Sequence, residues 1–415
     1  MKNRKMIALI SVSIAGALTL GGILGCGISS FNQSGNGSST ASGQSQSASS
    51  NQNVAFPTQS NGHVISEDVL DKIDQLAAYI NTAYLYADEI DLSGLGDAMY
   101  AAFIDFLDEP YTCYYNEEEY SDLLESTDGS FSGIGATMTQ DAETGEVIVL
   151  YPMENSPAKE AGLEAGDVIT GVSGLDDIST MELSDIVSGI RGEEGTDVTL
   201  TIYRESTDET FDVTITRRTI EYETVTYEML EDNVGHIEIW QFDTITTDQF
   251  DAALEDLESQ GMEALILDLR DNPGGVVTTA VDVLDAFLDK QVAVYTLDKN
   301  ETKKTYTTEA GTRFDGPVVV LINGNSASAS EIVTGALQDY GIAVVMGTTS
   351  YGKGIMQGVY PLGDGTGLKM TVSDYYTPNG RNIHGTGIEP DITVEADAET
   401  ETDEQLEAAL EYLRK

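Results

Sequence analysis

Apolar and polar positions divide the chain into segments of different period. Met6 to Gly25 carry no charge and are rich in Ile, Leu, Ala and Val, behind a basic flank of Lys2, Arg4 and Lys5. An apolar run of about 20 residues can span a bilayer as a helix, and the same pattern serves as an export signal. Residues 27–60 are mostly Ser, Gly, Gln, Asn and Ala. Such a segment cannot bury enough surface to offset its chain entropy, so it is predicted to be a flexible tether with a reach of roughly 30 Å. Within 61–118, Val69, Ile73, Leu76, Ala77 and Ile80 recur at helical spacing, as do Met99, Ala102, Phe103 and Phe106. Ser66, ahead of Glu67 and Asp68, is the predicted cap of the first helix, and Pro110 stops the second.

The pattern then shortens. Over 119–218, Val147–Tyr151, Val168–Val172, Val198–Tyr203 and Phe211–Thr216 read as strands between glycine-rich turns, with one helix over Met181–Ile190. Over 219–415 the strands become continuous apolar runs, Ala264–Leu269, Val318–Ile322 and Ala343–Met346, each alternating with a helical stretch. Buried strands alternating with helices predict an α/β core. Leu406, Leu410 and Leu413 mark a last amphipathic helix.

Charge narrows the function classes. The 415 residues hold 71 Asp+Glu against 20 Lys+Arg, a formal net charge of −51. Binding phosphates needs Lys and Arg, so no nucleic-acid partner is expected. Cys26 and Cys113 are too few for a disulfide framework or a structural zinc cluster, and three histidines argue against a His-rich metal site. Nothing in the sequence requires a metal or organic cofactor.

The chemistry must therefore come from other groups. His63, His236 and His384 stand at the tether edge, in a strand pattern and in a glycine-rich loop, so no Ser-His-Asp arrangement forms. A lysine can replace histidine as a base where burial disfavours its charged form. Lys353 is the candidate, flanked by Gly352 and Gly354. If the segment is extended, Lys353, Ile355 and Gln357 share a face, and Gln357 can hold the amine. Ser326, Ser328 and Ser330 follow a buried strand at the start of a helix, where backbone amides stabilise an oxyanion. Ser328-Ala329-Ser330-Glu331 is also a capping box, so cap and nucleophile stay open on the residues alone.

Longer motifs carry two resemblances. The run Ala161-Gly162-Leu163-Glu164-Ala165-Gly166-Asp167-Val168-Ile169 resembles a PDZ domain of the bacterial protease type. That resemblance makes Ser132, Gly133, Ile134 and Gly135 the loop whose amides hold a peptide's terminal carboxylate. Residues 64–415 resemble the carboxyl-terminal processing peptidases, or tail-specific proteases. The matching motifs are Asp108-Glu109-Pro110-Tyr111, the PDZ-like run, Asp268–Gly275, Asn323–Glu331, Tyr351–Gln357 and Gly385–Asp391. The resemblance implies a crotonase-like α/β protease core with an inserted, mainly-β PDZ-like domain and an N-terminal helical segment. It implies Ser328 as nucleophile, Lys353 as general base and Gln357 as its support. Oxyanion donors would be the amides of Ala329 and of Gly274 or Gly275. Asp339 matches an acidic residue implicated in some relatives, with a helix-terminal structural role as the alternative.

The expected organisation is a signal peptide or anchor (1–26), linker (27–60), helical segment (61–118), PDZ-like domain (119–218) and protease core (219–415). Ile23-Leu24-Gly25-Cys26 resembles a bacterial lipoprotein box, making Cys26 a lipidation candidate. The expected setting is outside the cytoplasm, by lipid, retained helix or secretion. The expected partners are proteins or peptides with free C-termini and, through the N-terminus, the membrane, with room for a homo-oligomer. The competing readings are a catalytically silent tail-binding scaffold and an acyl-CoA enzyme. Retention of Ser328, Lys353 and Gln357 argues against the first, and export against the second.

Overall fold

The computed structural model describes residues 66–87, 94–142, 144–309, 311–396, 400 and 402–414. The readings of the export signal, of Cys26, of the tether and of His63 fall outside them. By packing, the chain divides into residues 28–103 and the remainder. In the first unit the described elements are helix α1 (Glu67–Ala83) and most of α2 (Leu95–Asp105). Ser66 takes the cap position of α1 but makes no side-chain capping bond there.

The second unit begins with β1 (Cys113–Tyr115) and α3 (Glu117–Asp128). Asn116 and Glu119 close a reciprocal capping box on α3, and Gly129 ends it with φ 76°. Strands β2 (Ser130–Gly133), β3 (Ala136–Gln140) and β4 (Val147–Pro152) lead into the short helix α4 (Pro157–Glu160). β5 (Val168–Val172), α5 (Leu183–Ile190), β6 (Asp197–Arg204), β7 (Glu209–Thr216) and β8 (Arg218–Glu221) follow. Strands β3 to β7 pair in chain order as an antiparallel sheet, with β3 at one edge, while β2 pairs with β8. Val147, Val149, Ile169, Leu200, Ile202 and Ile215 point inward with Ile186 and Ile190 of α5 to form a separate core.

The larger core follows. It contains β9 (Val225–Met229), β10 (Val234–Ile239), α6 (Thr246–Ser259), β11 (Ala264–Asp268), α7 (Val277–Asp285), β12 (Val292–Asp298), β13 (Lys303–Thr307) and β14 (Val318–Ile322). It ends with α8 (Ala329–Asp339), β15 (Ala343–Gly347), β16 (Ile355–Pro361), β17 (Gly367–Tyr376), β18 (Ile392–Thr393) and α9 (Glu404–Leu413). One sheet runs β18-β15-β14-β11-β10-β9 and is parallel except for β9. Its residues alternate between two apolar layers. Leu265, Leu267, Val318 and Val320 face helices α6, α7 and α8, whereas Ala264, Ile266, Val319 and Leu321 face α9. Burial on both faces is why these strands read as unbroken apolar runs. A second sheet joins β1, β17, β12 and β13, with β16 paired to β17.

Candidate active site

Three loops leave the C-terminal ends of parallel strands β11, β14 and β15, the edge at which open α/β sheets place their ligands. They are stitched together by backbone bonds. Ala327 N–H donates to Asn272 O at 3.0 Å, and Tyr351 N–H donates to Ser326 O at 3.0 Å. Asn272, fully buried, also donates from Nδ2 to Ile239 O at 2.7 Å. It accepts at its carbonyl from Ser330 Oγ at 3.0 Å. Sequence reasoning passed over Asn272, because an Asn in a turn motif carries no sign of its tertiary bonds.

These bonds separate the three serines. Ser326 and Ser330 are fully buried. Ser326 Oγ donates to Leu269 O at 2.7 Å, and Ser330 Oγ is spent on Asn272. Ser328 is only half-buried. It sits at the start of α8 with φ 53° and ψ −111°, a conformation L-residues rarely adopt. Such a strained strand-to-helix turn lifts a side chain clear of the sheet.

Glu331 ties this turn to the lysine segment. Its Oε2 accepts from Ser328 N–H and from Lys353 N–H, both at 2.9 Å. Its Oε1 accepts from Gly352 N–H at 2.7 Å and Ser350 Oγ at 2.6 Å. Tyr375, also buried, donates from its hydroxyl to Ser328 O at 3.1 Å. Burial raises the Glu331 carboxyl above its usual range, and the donors from Ser350, Gly352, Lys353 and Ser328 oppose it. The sequence marked Glu331 only as half of a cap. Its second role depends on a segment that the fold brings alongside.

Lys353 lies just ahead of β16, after Gly352 with φ 88°. Burial lowers its pKa from 10.5 to about 8, Lys369 adds repulsion, and Glu109 and Glu331 oppose both. Among the described residues no carboxylate forms an ion pair with it; its ammonium lies 4.5 Å from the centroid of the Tyr111 ring. Gly387 of the Gly385–Asp391 motif has a packing role here. A Cβ on Gly387 would come 2.3 Å from Ser350 O, and one on Gly352 would come 2.8 Å from Gly387 N.

Gln357 stands elsewhere than the alternation argument expects. Its Nε2 approaches Thr371 Oγ1 at 3.4 Å rather than bonding the lysine amine. The pairing of β16 with β17 shifts register between Met356 and Gln357, which sets Gln357 opposite Thr371. The two glycines also differ. Gly274 N–H donates to Asn272 Oδ1 at 2.8 Å, so that amide is engaged, whereas the Gly275 and Ala329 amides have no acceptor among the described residues. Gly274 instead supplies space: a Cβ there would lie 2.7 Å from Ser328 Cβ and 2.8 Å from Ala329 N.

The other candidates have partners of their own. Asp339, at the far end of α8, pairs with Arg381 at 2.5 Å and accepts from Asn379 N–H at 2.8 Å, bracing the loop after β17. His236 contacts Asp268 at 3.4 Å. His384 is exposed and its N–H donates to Asn382 at 2.8 Å, but its backbone packs on the lysine segment, where a Cβ on Gly354 would lie 2.5 Å from His384 N.

The PDZ-like loop forms a second locus. The carbonyls of Ile134 and Gly135 accept from Ala158 N–H at 2.8 Å and Met153 N–H at 3.0 Å. The Ile134 and Gly135 amides have no acceptor among the described residues. Ser132 Oγ is buried without a hydrogen-bond partner. Two open amides, two and three residues after an unsatisfied hydroxyl, suit a carboxylate.

Residues 233–394 match peptidase family S41, and residues 132–215 match the PDZ domain family. A carboxyl-terminal-processing protease of Synechocystis is 36% identical over 317 residues, 74% of each chain. A carboxy-terminal-processing protease of Bartonella bacilliformis is 40% identical over 293 residues, 69% of this chain and 67% of that one. Among solved structures, a photosystem II D1 C-terminal processing protease is 27% identical with a TM-score of 0.47, covering 85% of this chain and 98% of its own.

Proposed function

This chain belongs to peptidase family S41, among the carboxyl-terminal processing proteases, and is a serine protease; from that premise we propose that it cleaves unstructured protein tails with Ser328 as nucleophile and Lys353 as base. One observation supports the pairing above others. A single carboxylate oxygen of Glu331 accepts from the backbones of both residues, so the two residues are held side by side at their amides. In the proposed reaction Ser328 Oγ attacks the scissile carbonyl while neutral Lys353 takes its proton. The oxyanion receives the Ala329 and Gly275 amides. Lys353 returns the proton to the leaving amine; water, deprotonated by the same lysine, then attacks the acyl carbon, and that proton passes to Ser328 Oγ as it leaves. Gln357 serves this arrangement through Thr371.

The PDZ domain receives the free C-terminus of the substrate at Ser132–Gly135, with the unsatisfied Ser132 hydroxyl as supporting observation. The proposed setting is outside the cytoplasm, from the basic, apolar and tether sequence of residues 1–60. Cys26 is the proposed lipid attachment point.

The test uses the full chain with Ser328→Ala and Lys353→Ala variants. Each is incubated with an unfolded protein ending in apolar residues, its C-terminus free or amidated, and the fragments are read by mass spectrometry. Cleavage by the wild type alone, lost on amidation, is the expected result. Equal cleavage by a variant would remove that residue from the mechanism, and cleavage indifferent to amidation would remove tail recognition.

A further inference from the structure

The Asp108–Thr112 turn was singled out by its sequence, yet the cleavage chemistry above leaves it without a task. Its geometry gives it one. Glu109 folds back on the turn: Oε1 accepts from Tyr111 N–H at 3.1 Å and Oε2 from Thr112 Oγ1 at 2.6 Å. The same Oε2 accepts from Thr371 Oγ1 of β17 at 2.9 Å, and Thr371 N–H donates to Thr112 Oγ1 at 3.2 Å. Immediately afterwards β1 pairs with β17, Cys113 opposite Lys369. The turn is therefore fastened to the sheet on both sides of Tyr111. The free end of Tyr111 is fastened too, its hydroxyl meeting that of Tyr351, two residues ahead of Lys353, at 3.3 Å. The ring face between these anchors carries the Lys353 ammonium at 4.5 Å.

We propose that Tyr111 is a positioning residue for Lys353, its ring a fixed aromatic seat for the amine and Glu109 the clamp that holds the seat. This rests on the Ser328–Lys353 reading. A lysine base has a flexible four-carbon stem and must be held within hydrogen-bond reach of the proton it takes. A carboxylate could hold it, but would favour the charged, unreactive form. An aromatic face attracts the ammonium more weakly, keeps water off one side, and still accommodates the neutral amine. The ionisable groups around the amine are Lys369 of β17, Glu331 of α8, Glu109 of the turn and the Tyr111 phenol, with the Tyr351 phenol bonded behind it. Glu109 and Glu331 accept backbone and hydroxyl donors, which leaves the ring to place the amine.

The test measures kcat, KM and the pH profile of the full chain on an unfolded reporter with a free apolar C-terminus. Tyr111→Phe keeps the ring and is expected to retain activity within about threefold, with an unchanged rise in rate with pH. Tyr111→Ala admits water beside the amine. It is expected to lower kcat by about 30-fold or more with little change in KM, and to move the midpoint of that rise toward the range of a free lysine. Tyr111→Leu keeps an apolar cover without a π face, and carries the test if the Ala variant melts early. It is expected to melt like the wild type while losing about tenfold or more in kcat. Unchanged kcat in a folded Ala or Leu variant would overturn the proposal. So would loss of activity in Tyr111→Ala with an unmoved midpoint, or a Phe variant as impaired as Ala. Lys353→Ala is run alongside: if it keeps full activity, the underlying pairing has failed rather than the role of the ring.

Discussion

Glu331 occupies the third position of a helix, where a glutamate ordinarily completes a cap. Here the same carboxylate also holds the segment carrying Lys353. Glu331→Gln replaces one acceptor oxygen with a donor facing donors, and each buried group left unpaired costs about 1–3 kcal/mol. It is therefore expected to lower the unfolding free energy by about 2–4 kcal/mol and kcat by about 100-fold, read by urea denaturation and tail cleavage. Lys353 supplies a second expectation with a definite sign. Its pKa falls from 10.5 to about 8 because burial penalises the charge. Between those values the unfolded chain holds the proton and the folded one does not, so stability rises as pH rises from about 8 to about 10.5. At neutral pH the buried ammonium costs about 3 kcal/mol at most. Lys353→Met is thus expected to be more stable than wild type by about 1–3 kcal/mol at pH 7 and to lose that advantage by pH 10.5. Cleavage by the wild type is expected to rise through pH 8 as the base becomes neutral. An advantage for Met that grew with pH would contradict this account. At this scale the sequence was only half readable. Lys353 stood out between glycines, but Ser326, Ser328 and Ser330 are chemically alike. What separates them is which hydroxyl the strand-end carbonyls absorb, and that depends on residues far away in the chain.

Between elements, close approach rather than composition decides what is allowed. Gly274 has φ 101°, and a Cβ there would lie 2.6 Å from Ala327 O. Gly274→Ala is expected to cost about 1–3 kcal/mol in stability. It also crowds the Ala329 amide, so a loss in kcat of about 100-fold is expected, the order seen when one oxyanion donor is removed. If the variant kept wild-type kcat, the Ala329 amide would not be the donor. Asp167 gives the corresponding case in the PDZ domain. It is buried, and its carboxylate takes Arg204 Nε at 2.7 Å and Nη2 at 2.8 Å. Burial pushes its pKa up, but the Arg204 bonds and the Glu164 N–H together outweigh it and leave the net shift downward. This contribution is therefore present above the ordinary carboxylate range and is lost as pH falls through the lowered value. Asp167→Asn leaves Arg204 only the exposed Glu164 carboxylate, at 3.0 Å, and is expected to destabilise the domain by about 2–3 kcal/mol at pH 7, read by hydrogen exchange in β5 and β6. Unchanged exchange would mean the pair is replaceable by solvent. The strands of both cores were legible because burial on one or two faces writes a pattern into the chain. The β16–β17 pairing was not, because register depends on the partner strand. A single shift there moved Gln357 from the lysine to Thr371.

The whole chain carries 71 acidic against 20 basic residues, so most of its carboxylates have no cation to meet. Composition alone shows that imbalance, but not how the fold divides its few cations between buried and exposed positions. In the structure, Arg204 and Arg270 are largely buried and bond Asp167 and Asp268, each only 1% exposed. Arg313 and Arg414 meet their partners at the exposed surface. Salt acts on these groups in opposite directions. It screens repulsion among the unpaired surface carboxylates, and equally the attraction in the surface pairs. Buried pairs are screened much less. At 0.1 M salt the screening length is about 10 Å, comparable to the spacing of neighbouring surface charges, so much of the repulsion is removable. Exposed pairs contribute only about 0–1 kcal/mol each, and they are far outnumbered by the unpaired acids. The repulsive side should therefore win. The urea midpoint of the full chain at pH 7 is expected to rise steadily as sodium chloride is increased from about 0.02 M to about 0.5 M, and to level off once screening is complete. Lowering the pH toward the carboxylate range at low salt should at first give a similar gain, until Asp167 and Asp268 begin to protonate and the buried pairs fail. A midpoint that fell with salt would mean that the surface ion pairs, and not the excess of carboxylates, govern the stability of this chain.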